Sequence, residues 1–469
     1  IEAVDFLAKG EGLTVKYYFI SDLSFRASFR KYKSLKKELS TAIETKQQEV
    51  EAEKKELEDE GVELEEVTKS APVAKIVSVI IRHAVDGGAS DIHIEPMKKE
   101  SRIRYRIDGI LHTSLILPKS VHKAIVARIK VMANLKLDET RTPQDGRFKL
   151  EINERGIDFR VSTLPLTGDE KVVMRILDTS KGAPKVEDLG IEGVQLKILQ
   201  NAVHKTEGLM LVTGPTGSGK STTIFSLLDI LNKEGVNIAT LEDPVEYQLA
   251  GVNQSQIRPN IGYTFATGLR SFLRQDPDII LVGEIRDGET AELAIHAALT
   301  GHYVLSTLHT TSAASSIARL VDMGIEPFLI GSTLHTVIAQ RLVRRICEHC
   351  KQEAKIPEEY IGDVRKEIET VGLDYAKELI PNLDLANLHF YEGKGCARCG
   401  NSGYKGRMSI LEVLDVNKDL KDLIKEGKKF LSDRDIRSNQ HFVTARQDGM
   451  IKVLQGFTTI AEILRVMKD

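Results

Sequence analysis

The stretch LMLVTGPTGSGKSTTIFSLLDIL, residues 209–231, restricts this chain more than any other. An apolar run enters a glycine turn of the form G-x-x-x-x-G-K-[ST], and a helix-forming run leaves it. Strand, turn and helix in that order make a phosphate-binding loop. Glycines let backbone N–H groups crowd around phosphate oxygens, and the helix presents its positive N-terminus. The loop consists of Gly214, Pro215, Thr216, Gly217, Ser218, Gly219, Lys220 and Ser221, with Thr222 at its helical edge. Lys220 is suited to the β- and γ-phosphates of ATP, and Ser221 to Mg²⁺.

Phosphoryl transfer also needs carboxylates beside the metal and the attacking water. The run DIILVGEIRD, residues 278–287, reads as a neighbouring strand that ends on Glu284. Its bland alternative is an ion pair with Arg286. A second acidic cluster, LEDPVEY at 241–247, closes the β-rich run NIATL and offers a general base or water-positioning group. His309, in VLSTLHTT, ends a further β-rich run and is a candidate for bonding the γ-phosphate, with a structural role as its alternative.

From about 191 to 340, strands, Gly-rich turns and helices alternate as in an α/β nucleotide-binding core. Ahead of it, KIVSVIIRHAV has apolar residues at helical spacing, and RIRYRIDGILHTSLI, GRFKLEI and GIDFRVSTLP carry β-formers between Gly and Pro breaks. That is the pattern of an α+β domain. The segment TKQQEVEAEKKELEDEGVELEEV is polar all round and reads as a solvated linker. The expected divisions are therefore 1–69 (N-terminal remnant and acidic linker), 70–180 (α+β domain), 181–340 (ATPase core), 341–405 (cysteine module) and 406–469 (C-terminal helical region). Gly and Pro in DTSKGAPKVEDLG, 178–190, mark the expected hinge before Gly193.

The 469 residues carry 65 basic and 68 acidic side chains, a net charge of −3, which removes the electrostatic reason to expect a nucleic-acid partner. No window approaches the roughly 20 consecutive apolar residues of a membrane span. The start, IEAVDFLAKGEG, shows neither a signal-peptide apolar block nor an initiator Met, so a cytoplasmic protein trimmed at its N-terminus is expected. All 4 cysteines fall into C-x-x-C pairs, Cys347 with Cys350 and Cys396 with Cys399. Four thiolates suit a closed tetrahedral Zn²⁺ site of structural purpose, with redox pairs or bare thiols as the alternatives.

Assembled, these segments resemble the secretion ATPase superfamily, in particular the assembly ATPases of type IV pili and the type II secretion ATPases. The resemblance runs from about Ala71 to Asp469. It rests on SAPVAKIV with GASDIHIEP, RIRYRIDG, TPQDGR, DFRVSTLP, GPTGSGKSTT, TLEDPVEY, LRSFLRQDPDIILVGEIRD, TGHYVLSTLHTTSA and the tetracysteine module. It implies an α/β fold: a RecA-like P-loop ATPase core, a preceding α+β domain, a C-terminal helical region and a zinc-binding tetracysteine insert. It also implies that Glu246 is the catalytic carboxylate of an aspartate box, that Glu284 belongs to a Walker B box and that His309 belongs to a histidine box. Arg160 and Arg175 match the arginines that reach an ATP across the subunit boundary, and Arg106 matches a further family position.

The same resemblance implies ATP hydrolysis with Mg²⁺ by a homo-hexamer that drives pilin polymerisation. Such a motor works peripherally at the cytoplasmic face of a bacterial inner membrane. Its partners are a membrane platform protein and cytoplasmic accessory proteins, without nucleic acid. Type II secretion is the alternative. The form LHTTSAA looks more like the retraction ATPases, but those lack the tetracysteine module and the N-terminal extension.

Overall fold

The computed structural model describes residues 71–178 and 182–467, which divide into two units between Leu177 and Asp178. The expected N-terminal remnant and linker, and residues 179–181 of the expected hinge, lie outside the described residues.

Among the described residues, the first unit holds a six-stranded sheet with β1 (Asp91–Pro96), β2 (Glu100–Ile107), β3 (Ile110–Pro118), β4 (Gln144–Ile152), β5 (Arg155–Pro165) and β6 (Glu170–Asp178) in the order β3-β2-β1-β6-β5-β4. Two helices, Ala71–Asp86 and His122–Met132, share its core. Period-two alternation decides which side chains meet them. Ile103 and Tyr105 of β2, Ile157, Phe159 and Val161 of β5, and Val172 and Met174 of β6 are buried with the helices. The Tyr105 hydroxyl donates to the carbonyl of Ile80 at 2.9 Å, tying the sheet to the first helix. The alternate positions, among them Arg104, Arg106, Arg160 and Arg175, therefore project from the opposite face.

In the second unit β7 (Gly208–Thr213), β8 (Ile238–Glu242), β9 (Asn253–Gln256), β10 (Ile279–Val282), β11 (Tyr303–Leu308), β12 (Leu334–Ile346) and β15 (Tyr404–Asp415) form a seven-stranded sheet in the order β15-β12-β7-β11-β10-β8-β9. A separate pair joins β13 (Lys351–Glu353) to β14 (Tyr391–Gly393). All contacts in the large sheet are parallel except β12 with β15. β7, β8, β10 and β11 are buried along their whole length, as strands covered on both faces must be.

Alternating residues feed two separate cores. Leu209, Leu211, Ile280, Val282, Val304 and Leu308 pack with helices Phe265–Phe272, Gly288–Leu299 and Ser315–Asp322. Met210, Val212, Ile279, Leu281, Tyr303 and Leu305 pack with helices Gly193–Ala202 and Lys220–Leu231. The core expected from the sequence is present, but β12 and β15 were not expected. β12 runs unbroken through 340 and 341, across the expected boundary, and β15 opens a tail that is otherwise helical at Lys418–Lys425, Asp433–Arg437, Ala445–Leu454 and Ile460–Met467.

Candidate active site

β7 ends at Thr213, and the chain turns through the phosphate loop into the helix Lys220–Leu231. Gly214 and Gly219 have φ of 146° and 90°, a region that favours glycine. Space excludes a side chain there as well. A Cβ on Gly214 would come within 2.5 Å of the Gln340 carbonyl oxygen, and one on Gly219 within 2.8 Å of Gln340 Nε2. Lys220 Nζ donates to the carbonyls of Gly214 at 2.8 Å and Pro215 at 3.1 Å, so the ammonium lies over the loop itself. Burial pulls its pKa below the usual lysine range, the Glu284 and Glu246 carboxylates oppose that shift, and the Arg341 charge adds to it.

The parallel registers explain why those carboxylates are near. Val282 of β10 pairs with Leu241 of β8 and with Ser306 of β11, while Leu308 pairs with Thr213 of β7. Glu246, Glu284 and His309 each follow a strand that ends on this edge. Glu284, with its side chain 14% exposed, is bonded at both oxygens: Arg286 Nη2 lies 2.5 Å from Oε1, and His309 Nε2 lies 3.2 Å from Oε2. The expected alternative for Glu284, an ion pair with Arg286, thus coexists with a contact to His309.

Glu246 sits on the loop after β8, which Tyr247 ties to the first turns of the phosphate-loop helix. Its ring centroid is 5.3 Å from that of Phe225, and its hydroxyl is 3.5 Å from Thr222 Oγ1. Glu242, from the same acidic cluster, points inward instead. It accepts from Thr240 Oγ1 at 2.7 Å and Gln254 Nε2 at 2.9 Å, and burial raises its carboxyl pKa.

Cys347 and Cys350 follow β12, whereas Cys396 and Cys399 precede β15. The four sulfurs lie within 4.8 Å of one another. Separations are 3.9 Å for Cys347 to Cys396, 3.9 Å for Cys350 to Cys399 and 3.7 Å for Cys396 to Cys399. A tetrahedral zinc with Zn–S bonds of about 2.3 Å needs sulfurs about 3.8 Å apart, so the donor set fits that ion in both chemistry and spacing. None of the four is in a disulfide. The Cys396 N–H donates to Cys399 Sγ at 3.2 Å, the kind of backbone bond that steadies a thiolate.

Arg160 on β5 and Arg175 on β6 lie in the first unit, on the sheet face turned from the helices. Arg175 Nε is 3.2 Å from Asp91 Oδ1, and Arg106 Nε is 3.4 Å from Asp91 Oδ2. Neighbouring Glu95 takes Arg104 at 2.6 Å, Arg102 at 3.0 Å and Lys171 at 3.1 Å. Burial alone would raise the Glu95 carboxyl, but these bonds hold it down to about 2.

A phosphate loop, acidic residues at neighbouring strand ends and a four-thiol cluster in one unit narrow the field to few families. Residues 66–465 match the family described as "Type II/IV secretion system protein". The chain belongs to that family. It is 45% identical over 390 residues to the type IV pilus assembly ATPase PilB of Thermus thermophilus, covering 83% of this chain and 42% of that protein. It is 45% identical over 399 residues to the type II secretion system protein E of Dickeya dadantii, covering 85% and 76%. To the pilus assembly ATPase PilB of Myxococcus xanthus it is 40% identical over 469 residues, covering 99% and 80%. Among solved structures, the pilus retraction motor PilT with bound ADP matches with a TM-score of 0.55 and 27% identity, covering 84% of this chain and 97% of that one.

In this secretion-system protein the structure adds two polar residues that sequence reasoning missed. β12 runs parallel to β7 with Ala339 opposite Thr213, which sets Gln340 and Arg341 beside the phosphate loop. Gln340 Oε1 accepts from Thr223 Oγ1 at 2.7 Å, and Arg341 Nη2 donates to the Thr311 carbonyl at 3.0 Å. The available signal was the β-rich run LHTVIA leading into the pair. Without the pairing to β7, nothing in it points at phosphate.

Proposed function

We propose that this chain is the motor subunit that hydrolyses ATP to drive type IV pilus assembly. The observation that carries this reading is the breadth of the Myxococcus xanthus match, 99% of this chain against 85% for the Dickeya dadantii secretion protein. Type II secretion is the second reading, favoured by an identity of 45% to that secretion protein. In the first unit, Arg160 and Arg175 serve an ATP held by another subunit of a homo-hexameric ring. No helix among the described residues is long and apolar enough to cross a membrane. That suits a motor docked peripherally, at the cytoplasmic face, on a membrane platform protein and accessory proteins of the machine.

The chain is an ATP-hydrolysing enzyme, and its residues divide the work. The loop N–H groups and Lys220 would hold the phosphates and Ser221 would hold Mg²⁺, whose charge would offset that of the phosphates. Glu284 and Glu246 supply the carboxylates that orient and deprotonate water, with His309 set against Glu284. An arginine from a neighbour stabilises the transferring phosphoryl group, so turnover depends on assembly.

The function is tested in the source bacterium with Lys220→Ala. Loss of surface pili with protein export intact is expected. Pili intact with exported proteins retained in the cell would move the assignment to type II secretion. The purified protein should turn over ATP at a rate that DNA does not change.

Subunits carrying both Arg160→Ala and Arg175→Ala, mixed with subunits carrying Glu284→Gln, should regain turnover that neither has alone. Rings shown to be mixed, yet inactive at every ratio, would argue against sharing of the site. For the cysteine module, metal analysis should return about one zinc per chain. Cys396→Ser with Cys399→Ser should abolish it and unfold 351–395 at lower temperature, while nucleotide binding persists. A metal-free protein of unchanged melting temperature would remove the zinc assignment.

A further inference from the structure

The loop that carries His309 is fastened residue by residue to different elements. His309 Nε2 meets Glu284, the Thr310 N–H donates to Thr213 Oγ1 at 2.8 Å, and the Thr311 carbonyl accepts from Arg341. The Ala313 N–H donates to Glu412 Oε1 at 2.5 Å. The first three anchors lie at the phosphate site or on the strand beside it. Glu412 differs, because its other oxygen, Oε2, accepts from the Ala445 N–H at 3.4 Å, at the start of the helix Ala445–Leu454.

Glu412 stands on β15 opposite Ala339 of β12, which stands opposite Thr213 of β7. One row across the sheet thus links this carboxylate to the residue that enters the phosphate loop. Glu412 is buried, and burial raises its carboxyl pKa while the nearby Arg341 charge acts the other way. A carboxylate kept inside a core at that cost has a specific demand to meet. Both of its contacts are backbone N–H donors, and only a carboxylate offers an acceptor at each end; the amide of Gln would turn an NH₂ toward one of them.

The helix it holds is also fixed to β15, since the Leu411 N–H donates to Asp448 Oδ2 at 2.8 Å and Lys452 Nζ bonds both Asp448 at 2.7 Å and the Ser409 carbonyl at 2.8 Å. A shift of the histidine loop therefore has a direct hydrogen-bonded route to the start of the helix Ala445–Leu454, and it passes through Glu412.

We propose that Glu412 is a positioning residue that couples the histidine loop at the ATP site to the helix Ala445–Leu454, so that nucleotide state and the placement of that helix change together. This rests on the ATP-hydrolase reading and adds to it the element that receives the signal. Coupling of this sort requires a contact whose energy differs between the two states, and the difference in exchange with and without nucleotide measures whether this shared carboxylate supplies it.

The test compares the full-length wild-type chain with Glu412→Gln and with Ala445→Pro. Proline is tolerated at the first position of a helix, and Thr444, with φ −72° and ψ 160°, already has the backbone a following proline requires. That second variant removes the N–H that Glu412 accepts and puts a ring carbon in its place, so this contact is broken while Glu412 itself is kept. Two quantities are read: kcat against the dissociation constant for a non-hydrolysable ATP analogue, and hydrogen exchange of 445–454 with and without the analogue.

For both variants, kcat should fall about tenfold with analogue affinity within about threefold, and the analogue-dependent change in exchange at 445–454 seen in the wild type should disappear. An Ala445→Pro protein that keeps both the wild-type kcat and the wild-type exchange response overturns the coupling, whatever Glu412→Gln does to folding. Absence of an exchange response in the wild type overturns it too. A wild type that binds the analogue and shows the response, but never turns over ATP, would overturn the hydrolase reading alone.

Discussion

Lys220→Ala should lower kcat/KM for ATP by about 10²–10³-fold, the usual result of removing one preorganised donor from a site of developing phosphate charge. The ammonium already lies over the loop, 2.8 Å from the Gly214 carbonyl, with its stem at the first turn of a helix that cannot shift without disturbing Thr223 and Gln340. When phosphate arrives the ammonium exchanges these loop carbonyls for phosphate oxygens, and no other side chain of residues 214–221 carries a positive charge to replace it. Alanine is also the best helix former, so the first turn should survive and the melting temperature should change little. Steady-state hydrolysis with an active-site titration measures the effect. Activity within about threefold of wild type would take the assignment of the loop with it.

Glu284→Gln should separate chemistry from binding. The amide has nearly the shape of the carboxylate, its oxygen still accepts from Arg286, and its NH₂ still faces His309 Nε2, so the local structure should hold. What disappears is the negative charge that can order and deprotonate water. A loss of about 10²–10⁴-fold in kcat is expected, with nucleotide affinity changed by only a few fold. Titration with a fluorescent nucleotide beside single-turnover hydrolysis gives both numbers. Equal losses of binding and turnover would mean that Glu284 acts on Arg286 and the strand end rather than on the reaction.

The two substitutions act on residues that were legible for a shared reason. GPTGSGKS, LEDPVE and GEIRD are local: each is a strand end followed by its own chemistry, so a short window holds the whole signal. Arg160 and Arg175 were singled out by the family resemblance alone; in the structure they lie on the face opposite the buried Phe159 and Met174. The β12–β15 pair was not legible because its partners are distant in the chain. Ile346 meets Tyr404 only after the cysteine insert, and Ala339 meets Thr213 only through a parallel crossover. Gln340, Arg341 and Glu412 owe their importance to those pairings. In the sequence each is a polar residue inside an apolar run, and a run of that kind gives no hint of which neighbour will satisfy it. Glu242 shows the converse error that proximity invites: it stands in the same acidic motif as Glu246, yet its oxygens are taken up by Thr240 and Gln254 inside the core.

The pairing of Ile346 with Tyr404 also bears on how this part of the molecule can change over generations. Because β12 and β15 meet there, everything from Cys347 to Gly403 leaves and re-enters the sheet at a single point, and most of it, 351–395, carries its own small sheet and helices. Lengthening such a closed excursion is cheap, about 0.6 kcal/mol for each doubling of its length. Insertions in its exposed turns can therefore alter what this face of the motor touches, but Val364, Ile368, Val371 and Phe390 share one core with Val343, Met408 and Met450, so the segment cannot be replaced wholesale without unpacking β12 and β15. Sequence drift should gather on the exposed faces of this segment, while its packed side chains, Glu367 against Arg446 and the strands that carry it stay constant.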